Sequence, residues 1–285
     1  MRPIVIFLFL VLSVNVVRPQ AFYTIIDDDA ASVEAISAIK HIADKKGIKI
    51  SFAVIASSLS RKPEVCDSLL SFQQQGFHIC NHSLTHKSDI WLSTSLADIS
   101  YEMTVSERIL DSLGFKSHDY LVYPFGKFST EQTSLILPIA RQHFKLAFNS
   151  RGGTCSPQNF NRYYINRFPI RKHENLSMVK YKIEKAVEQG DWLVFLTHSN
   201  MQRDFSPEYL EQVIDLCQAQ NIPCLTVDEA YNRMAQYQGD SPAAEWQLRH
   251  EIWLFIEMHY IYALASITLL LIAIYVLYRR FSFRK

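Results

Sequence analysis

The chain has 285 residues, of which 48% are hydrophobic and 20% are charged, so it can bury one core of about two hundred residues. The formal net charge is +1, but Arg2 and four basic residues of the C-terminal tail lie at the chain ends, which leaves −4 for the remainder. Since a nucleic-acid-binding domain needs a basic face, this charge excludes nucleic acid as a partner.

The first 21 residues form an apolar leader. The stretch from Ile4 to Val17 is apolar with two small polar interruptions, and it follows Arg2. This pattern is typical of a signal peptide or of an uncleaved signal anchor. Both remain open, because Pro19-Gln20-Ala21 is a poor cleavage site and cleavage there would leave Phe22 at the new N-terminus.

The first predicted strand runs directly into three acids. Phe22 to Ile26 is apolar and rich in β-forming residues, and Asp27, Asp28 and Asp29 follow it. Acids just past a buried strand stand where parallel α/β folds hold their functional groups. Taken alone, three consecutive acids are more typical of a solvated turn or a helix N-terminus, so their function depends on the motifs that follow.

Helical and strand patterns alternate along most of the chain. Apolar residues at helical spacing predict helices over Ala31–Lys46, Pro63–Gln75, Ala97–Leu113, Thr130–His143, Ser177–Gln189 and Pro207–Gln220. Shorter apolar runs predict further strands over 48–55, 144–148 and 223–227. Repeated strand–helix units imply a parallel sheet.

The stretch His82-Ser83-Leu84-Thr85-His86 is the most specific motif. Two histidines four residues apart lie on the same face of one helical turn, so both imidazoles can reach a single metal ion. A carboxylate from a separate strand would complete a three-ligand site with an open position for water. An H-x₃-H pair also arises by chance or for packing, but the surrounding strand-end motifs favour a hydrolytic metal site.

Two later strands also end in turn or polar residues. Leu121 to Val122 leads into the turn Tyr123-Pro124-Phe125-Gly126, and the apolar run from Trp192 ends at His198. His198 would otherwise be a core histidine at a strand end. Because the carboxyl ends of parallel strands meet at one edge of a sheet, these residues are expected to lie near the acids and the paired histidines.

Together these blocks resemble the motifs of the polysaccharide deacetylases, the NodB-type domain of carbohydrate esterase family four. The acids stand at the first motif, Asp-Asp-Gly, with Asp29 in the glycine position, and His82 to His86 matches the second motif fully. Tyr123-Pro124-Phe125 matches the third with Val122 in place of its arginine, and Leu196-Thr197-His198 matches the fifth. The fourth motif is not recognisable. The resemblance spans residues 22–237 and implies an α/β fold, a distorted or incomplete (β/α) barrel.

The resemblance also implies roles for the motif residues. Asp28, His82 and His86 would hold a divalent metal, with zinc as the expected ion. Asp27 would be the general base and His198 the acid that protonates the departing amine. The three adjacent acids leave two registers open, since the base and ligand pair could start one residue later; the spacing to the following Ala-Ser-Val favours the first.

Four further residues are expected around the substrate. The backbone N–H of Phe125 would stabilise the oxyanion, with Tyr123 and Leu196 beside it as substrate-contacting residues. Arg167 is the candidate to replace the missing arginine of the third motif, which in the family pairs with the catalytic aspartate. The alternative for Arg167 is an ordinary surface arginine.

The predicted function is a metal-dependent N-deacetylase, a hydrolase of carbon–nitrogen bonds. Its substrate would be a glycan bearing N-acetyl groups, in a cell envelope or an exopolysaccharide. Two alternatives stay open: a deacetylase or deformylase of a lipid-linked sugar, and a catalytically inactive NodB-like module that binds glycan.

The C-terminal region predicts a membrane partner. Residues 238–251 read as a linker and 252–278 as a transmembrane helix, because Tyr260 to Tyr278 contains 19 residues without a charge, close to the roughly 20 that span a bilayer. The basic tail 279–285 would be cytoplasmic. The enzyme domain would then face the outside of a cytoplasmic membrane. The five cysteines leave at least one unpaired, and export would permit disulfides.

Overall fold

The structure is a computed structural model of the chain. It describes residues 19–91, 95–116, 119–126, 128, 130–157, 161–201, 203–238 and 271.

A parallel sheet forms the centre of the described part of the chain. Its strands are β1 (Phe22–Asp27), β2 (Ser51–Val54), β3 (His78–Asn81), β4 (Tyr120–Val122), β5 (Leu146–Phe148), β6 (Phe168–Pro169) and β7 (Trp192–Thr197). The strand order is β5-β4-β3-β2-β1-β7-β6, and every pair is parallel. The longest pairing joins β1 to β7 over six residues, from Phe22 opposite Trp192 to Asp27 opposite Thr197.

One short segment connects the two edges of this sheet. Ile165 forms a parallel bridge with Phe148 of β5, and β6, which starts three residues later, pairs with β7. The sheet therefore curves into a half-barrel of parallel strands, in which residues 165–169 join the β5 edge to β7. This is the distorted or incomplete (β/α) barrel that the sequence predicted.

Helices connect the strands and cover the outer face of the sheet. In the described residues they are α1 (Val33–Lys46), α2 (Ala56–Leu59), α3 (Pro63–Gln74), α4 (Ser88–Trp91), α5 (Leu96–Ser112), α6 (Thr130–His143), α7 (Leu176–Gln189), α8 (Pro207–Ala219) and α9 (Val227–Gln238). The helix α1 shows the local causes. The Ser32 side chain accepts a hydrogen bond from the backbone N–H of Ala35 at the N-terminus, and Gly47 ends the helix in the left-handed conformation.

The strands bury side chains on both faces, which is why they read as continuous apolar runs. Along β1, Tyr23 and Ile25 pack in the core between sheet and helices, whereas Phe22 and Ile26 pack in a second cluster with Val194. Each such buried apolar side chain contributes about 1.5–3 kcal/mol. With both faces fixed by packing, the polar residues that follow the strands are held at one edge of the sheet.

The second part of the predicted fold class, a C-terminal transmembrane helix, is wrong for the described residues. Among them, no helix is both long enough and apolar enough to cross a membrane. Of the predicted span 252–278 only Leu271 is described. The leader as far as residue 18, the linker after residue 238 and the basic tail lie outside the described residues.

The sequence reading missed one long helix. Residues 223–227, predicted as a strand, form only a bridge between Cys224 and Tyr23, and α9 begins at Val227. Thr226 and Glu229 form a capping box, in which the Glu229 carboxylate accepts from the backbone N–H of Thr226 at 2.8 Å. All five cysteines are described, and none forms a disulfide.

Candidate active site

A cavity of about 330 Å³ opens at the carboxyl ends of the strands. Residues that follow β1, β3, β4, β6 and β7 reach it, so the motifs predicted at strand ends converge there. Its lining residues are Asp28, Asp29, His82, His86, Tyr123, Phe125, Ser150, Arg167, Pro169, Arg171, Leu196, His198 and Met201. Of the predicted site residues, only Asp27 is not in this lining.

Asp27, the last residue of β1, is fully buried beneath the cavity. Its Oδ1 accepts hydrogen bonds from the Thr197 hydroxyl at 2.7 Å and the Ser199 backbone N–H at 2.8 Å. Its Oδ2 accepts from the Ser199 hydroxyl at 2.6 Å. Burial raises the pKa of Asp27 to about 6, and these hydrogen bonds oppose that rise. Both carboxylate oxygens are thus occupied in joining β1 to the chain that follows β7.

Asp28 forms a two-point ion pair with Arg167. The Arg167 Nη1 donates to Oδ1 at 2.7 Å and Nη2 donates to Oδ2 at 3.0 Å, while Nε donates to the backbone oxygen of Asn149 at 2.9 Å. Burial alone would raise the pKa of Asp28, but the guanidinium charge and the neighbouring His82 lower it. The carboxylate is therefore held deprotonated and in one orientation.

Asp29 faces the two histidines of the second motif. Its Oδ1 lies 3.6 Å from the His82 Nε2 and 3.8 Å from the His86 Nε2. Its Oδ2 accepts from the Asn200 side-chain amide at 3.2 Å. By contrast Oδ1 is buried and has no hydrogen-bond partner in the structure. An unpaired buried carboxylate oxygen is costly unless another group satisfies it.

The two histidines project from a loop and not from a helix, contrary to the sequence prediction. The residues after β3 leave the strand without forming a helical turn, and Ser83 and His86 adopt positive φ of 69° and 56°. The imidazole centroids of His82 and His86 lie 4.7 Å apart. A spacing of four residues thus brings both rings together through a strained loop, and strain of this kind is often found at functional sites.

Buried polar contacts hold this loop in place. The backbone N–H of Ser83 donates to the Asn81 side chain at 2.8 Å, and the Ser83 hydroxyl accepts from the His86 backbone N–H at 3.1 Å. The Glu102 carboxylate, from α5, accepts from the Thr85 backbone N–H at 2.8 Å and from its hydroxyl at 2.5 Å. The Ser83 hydroxyl therefore holds the backbone of His86, the second histidine of the motif, in place.

Asp29, His82 and His86 fit a divalent metal. Their potential ligand atoms all lie within 4.8 Å of one another. The Nδ1 of His82 lies 2.7 Å from the backbone oxygen of Val122. This contact favours the tautomer with a proton on Nδ1 and leaves Nε2 free to coordinate. Burial lowers the pKa of His82, which keeps the imidazole neutral, the form that binds metal. The unpaired Oδ1 of Asp29 completes a donor set of one carboxylate and two imidazoles, which can hold a divalent metal ion.

The remaining predicted residues surround this cluster. The Nε2 of His198 lies 3.9 Å from the Asp28 Oδ2, and its side chain is 30% exposed. The Phe125 ring packs on His86 at a centroid distance of 4.6 Å, with its own backbone at a positive φ of 63°. Tyr123 and Leu196 are buried in the cavity wall, and the Tyr123 hydroxyl donates to the backbone oxygen of Tyr163.

The arrangement of the acids differs from the predicted register. Asp28 was expected beside the histidines as a metal ligand, and its Oδ2 does lie 3.8 Å from the His82 Nε2. However, both its oxygens are bound to Arg167, whereas Asp29 is grouped with the two histidines. The predicted base, Asp27, is not exposed to the cavity at all. In the alternative register, which starts one residue later, Asp29 would be the ligand, and it is Asp29 that is grouped with the two histidines.

Sequence reasoning missed two residues of the site region. Ser199 was not predicted, although it directly follows the fifth motif and binds both oxygens of Asp27. Its position after a strand-end histidine was the available signal. Arg171 lies in the cavity lining two residues after β6.

Comparisons with known proteins find a family-model match in the first half of the chain and a fold likeness over most of it. Residues 17–141 match the family model described as polysaccharide deacetylase. No curated protein matches the chain.

Three solved structures illustrate the fold likeness. A polysaccharide deacetylase-type structure from Mycobacterium smegmatis aligns with a TM-score of 0.60 and 10% identity, over 78% of this chain and 92% of that one. A family 4 acetyl xylan esterase from Clostridium thermocellum, in complex with a cobalt ion, gives 0.53 and 14%, over 74% and 90%. A CE4 family pseudoenzyme from Bacillus anthracis gives 0.50 and 13%, over 75% and 66%. At these identities the likeness shows the fold.

Proposed function

We propose that the chain is a polysaccharide deacetylase, acting as a metal-dependent N-deacetylase of a glycan that bears N-acetylated amino sugars; the match of residues 17–141 to the polysaccharide deacetylase family model supports this. One observation carries the proposal: the Oδ1 of Asp29 is buried and unpaired between the Nε2 atoms of His82 and His86. A carboxylate oxygen in that position is best satisfied by a cation that the two imidazoles share.

We propose Asp29, His82 and His86 as the metal ligands. A bound divalent ion supplies Lewis acidity, which lowers the pKa of a water molecule and polarises an amide carbonyl. The acetyl xylan esterase with a similar fold was solved in complex with a cobalt ion, which supports metal binding by a protein of this fold. The expected ion is zinc, because two imidazoles and a carboxylate are typical zinc ligands.

Asp28 is proposed as the general base in place of Asp27. Its carboxylate lines the cavity beside the proposed ligands, and Arg167 both orients it and keeps it deprotonated. A base must reach the proton that it removes, and Asp27 is buried and, unlike Asp28, does not line the cavity. The role proposed for Asp27 is to position the chain that carries His198.

His198 is proposed as the general acid. His198 directly follows β7, and its partly exposed imidazole lines the cavity next to Asp28. An amine departs readily only when it is protonated, so the reaction needs an acid as well as a base. The backbone N–H of Phe125 remains the proposed oxyanion donor, with Tyr123 and Leu196 as walls of the acetyl-binding end.

Acetate release tests the function directly. The purified protein, stripped of metal by a chelator and reloaded with zinc, is expected to release acetate from fully N-acetylated chitotetraose. The chelated protein should release none, and added zinc should restore the rate. Absence of acetate from a zinc-loaded, folded protein would contradict the proposal and favour an inactive glycan-binding module, as in the similar pseudoenzyme fold.

We also propose that the reaction takes place outside the cytoplasm, because the first 21 residues have the composition of a signal peptide or signal anchor. A protease added to intact spheroplasts is then expected to digest the domain. Protection of residues 22–237 would contradict this location.

A further inference from the structure

Arg171 is a cation at the mouth of the cavity, and none of the described residues forms an ion pair with it. It lines the cavity and its side chain is exposed. The other arginine of the lining, Arg167, is buried and bound on both Nη atoms to Asp28. Across the residues that the structure describes, no carboxylate forms an ion pair with Arg171. Its guanidinium donors are therefore available to a ligand.

The backbone around Arg171 is fixed although its side chain is free. The N–H of Ile170 donates to the Leu196 oxygen at 2.8 Å, which ties the segment to the end of β7. On the other side the N–H of Lys172 donates to the Asp204 oxygen at 2.8 Å. These bonds hold the Arg171 Cα at a constant position relative to His198, two residues beyond Leu196. A group bound by the guanidinium would thus lie within one arginine side-chain length of a fixed backbone position beside the reacting end of the cavity.

The charge of the lining determines what this guanidinium can bind. Asp28 and Arg167 neutralise each other, and Asp29 faces the two histidines. Arginine binds carboxylate and phosphate groups through parallel N–H donors, a geometry that a neutral hydroxyl cannot match. Resting on the proposed function, we propose that Arg171 determines substrate specificity by binding an anionic group, a carboxylate or a phosphate, on a glycan unit beside the one that loses its acetyl group.

Binding of matched probes to the zinc-loaded full chain tests this role independently of turnover. The neutral probe is N-acetylated chitotetraose. The anionic probes are a tetrasaccharide that alternates N-acetylglucosamine with glucuronate, and N-acetylated chitotetraose that carries a 6-phosphate on one unit. The wild type is expected to bind at least one anionic probe more tightly than the neutral one in calorimetry. Arg171→Gln should weaken that binding about tenfold and leave the neutral probe within about twofold, whereas Arg171→Lys should retain part of the preference.

Arg203→Gln is the matched control, because it removes the same charge from a side chain that is 91% exposed and outside the cavity lining. It should leave all three affinities unchanged. Equal binding of neutral and anionic probes by the wild type would overturn the inference, as would an equal loss in Arg171→Gln and Arg203→Gln. The two anionic probes separate a carboxylate from a phosphate. If the anionic preference depends on Arg171 but no probe releases acetate, the binding of an anionic group by Arg171 stands and the proposed deacetylase activity fails.

Discussion

Asp27 and Asp29 stand two residues apart on the same turn, yet they lie in opposite environments. On the β7 side, both oxygens of Asp27 accept hydrogen bonds from Thr197 and Ser199, and the carboxylate is fully buried. On the β3 side, the Oδ1 of Asp29 faces two imidazoles and has no hydrogen-bond donor. A satisfied carboxylate joins parts of the fold, whereas an unsatisfied one at a cavity can bind a ligand. Asp28 lies between them. Arg167 binds and orients it on the buried side next to β7, where Asp27 also lies and which we call the closed side. Asp28 also faces the cavity on the side next to β3, which we call the open side.

The largest expected effect comes from Asp28, on which the two sides meet. Asp28→Asn should lower the rate of acetate release about 10²–10⁴-fold, the usual cost of removing a general base. Because the buried Arg167 loses its counter-charge, the rate must be measured per folded, zinc-loaded molecule. Zinc affinity should stay near the wild-type value. A loss of zinc in this variant equal to that in Asp29→Asn would contradict the assignment.

Removal of Arg167 should destabilise the closed side strongly. Arg167→Met leaves the Asp28 carboxylate buried without a cation, and breaking a buried ion pair in this way costs about 3–5 kcal/mol. Urea unfolding of the zinc-free protein measures the free energy. The control Arg203→Met, at an exposed position, should change it by less than about 0.5 kcal/mol. Equal stabilities of the two variants would contradict the structural role of the pair.

On the open side, Asp29→Asn should act on metal affinity. Loss of residues that only support a metal ligand already costs about 10–100-fold in affinity, so loss of a ligand should exceed about 100-fold. Competition with a fluorescent zinc chelator measures it. The matched variant is Asp27→Asn, the same change two residues earlier, and it should retain zinc. If Asp27→Asn loses zinc while Asp29→Asn keeps it, the open and closed sides are reversed.

The smallest expected effect is on stability in Asp27→Asn. The amide replaces one acceptor oxygen with a donor, so one of the bonds from Thr197 and Ser199 is lost and a buried group is left unsatisfied. This should lower the free energy of unfolding by about 1–3 kcal/mol. Asp44→Asn serves as the control, because Asp44 is an exposed partner of Lys40 and such pairs contribute about 0–1 kcal/mol. A stability equal to that of the control would show that Asp27 does not join β1 to the chain after β7.

The sequence predicted the sheet and the convergence of motifs because both follow from chain periodicity. Apolar runs place His198 and the acids at strand ends, and parallel pairing brings strand ends to one edge. Arg167 does pair with an aspartate, but with Asp28 and not with Asp27, the base that the sequence predicted. The register of the acids could not be read in the same way. Three identical residues carry no difference in sequence, and which one faces the histidines depends on the backbone turn.

That turn contains two consecutive positive φ values, 74° at Asp29 and 45° at Ala30. Aspartate tolerates the left-handed region better than most residues, but alanine rarely adopts it. The residue types at this turn therefore do not predict its backbone conformation. The helix expected at His82 to His86 failed for a similar reason. Spacing of four residues fits a helical turn, yet Ser83 and His86 are left-handed because Asn81, Ser83 and Glu102 provide hydrogen bonds that stabilise a loop.

The connection between β5 and β7 has a consequence for the order in which this protein folds. Arg167 is 139 residues from Asp28, and Ser199 is 172 residues from Asp27. Contacts so distant in the chain pay a large loop-closure entropy and form late in folding. The first half of the barrel can therefore pair its strands before either carboxylate finds its partner. A nascent chain that ends at residue 141, where the family match ends, would have the acids and both histidines but neither Arg167 nor His198. Catalytic competence would then be the last property that the growing polypeptide acquires.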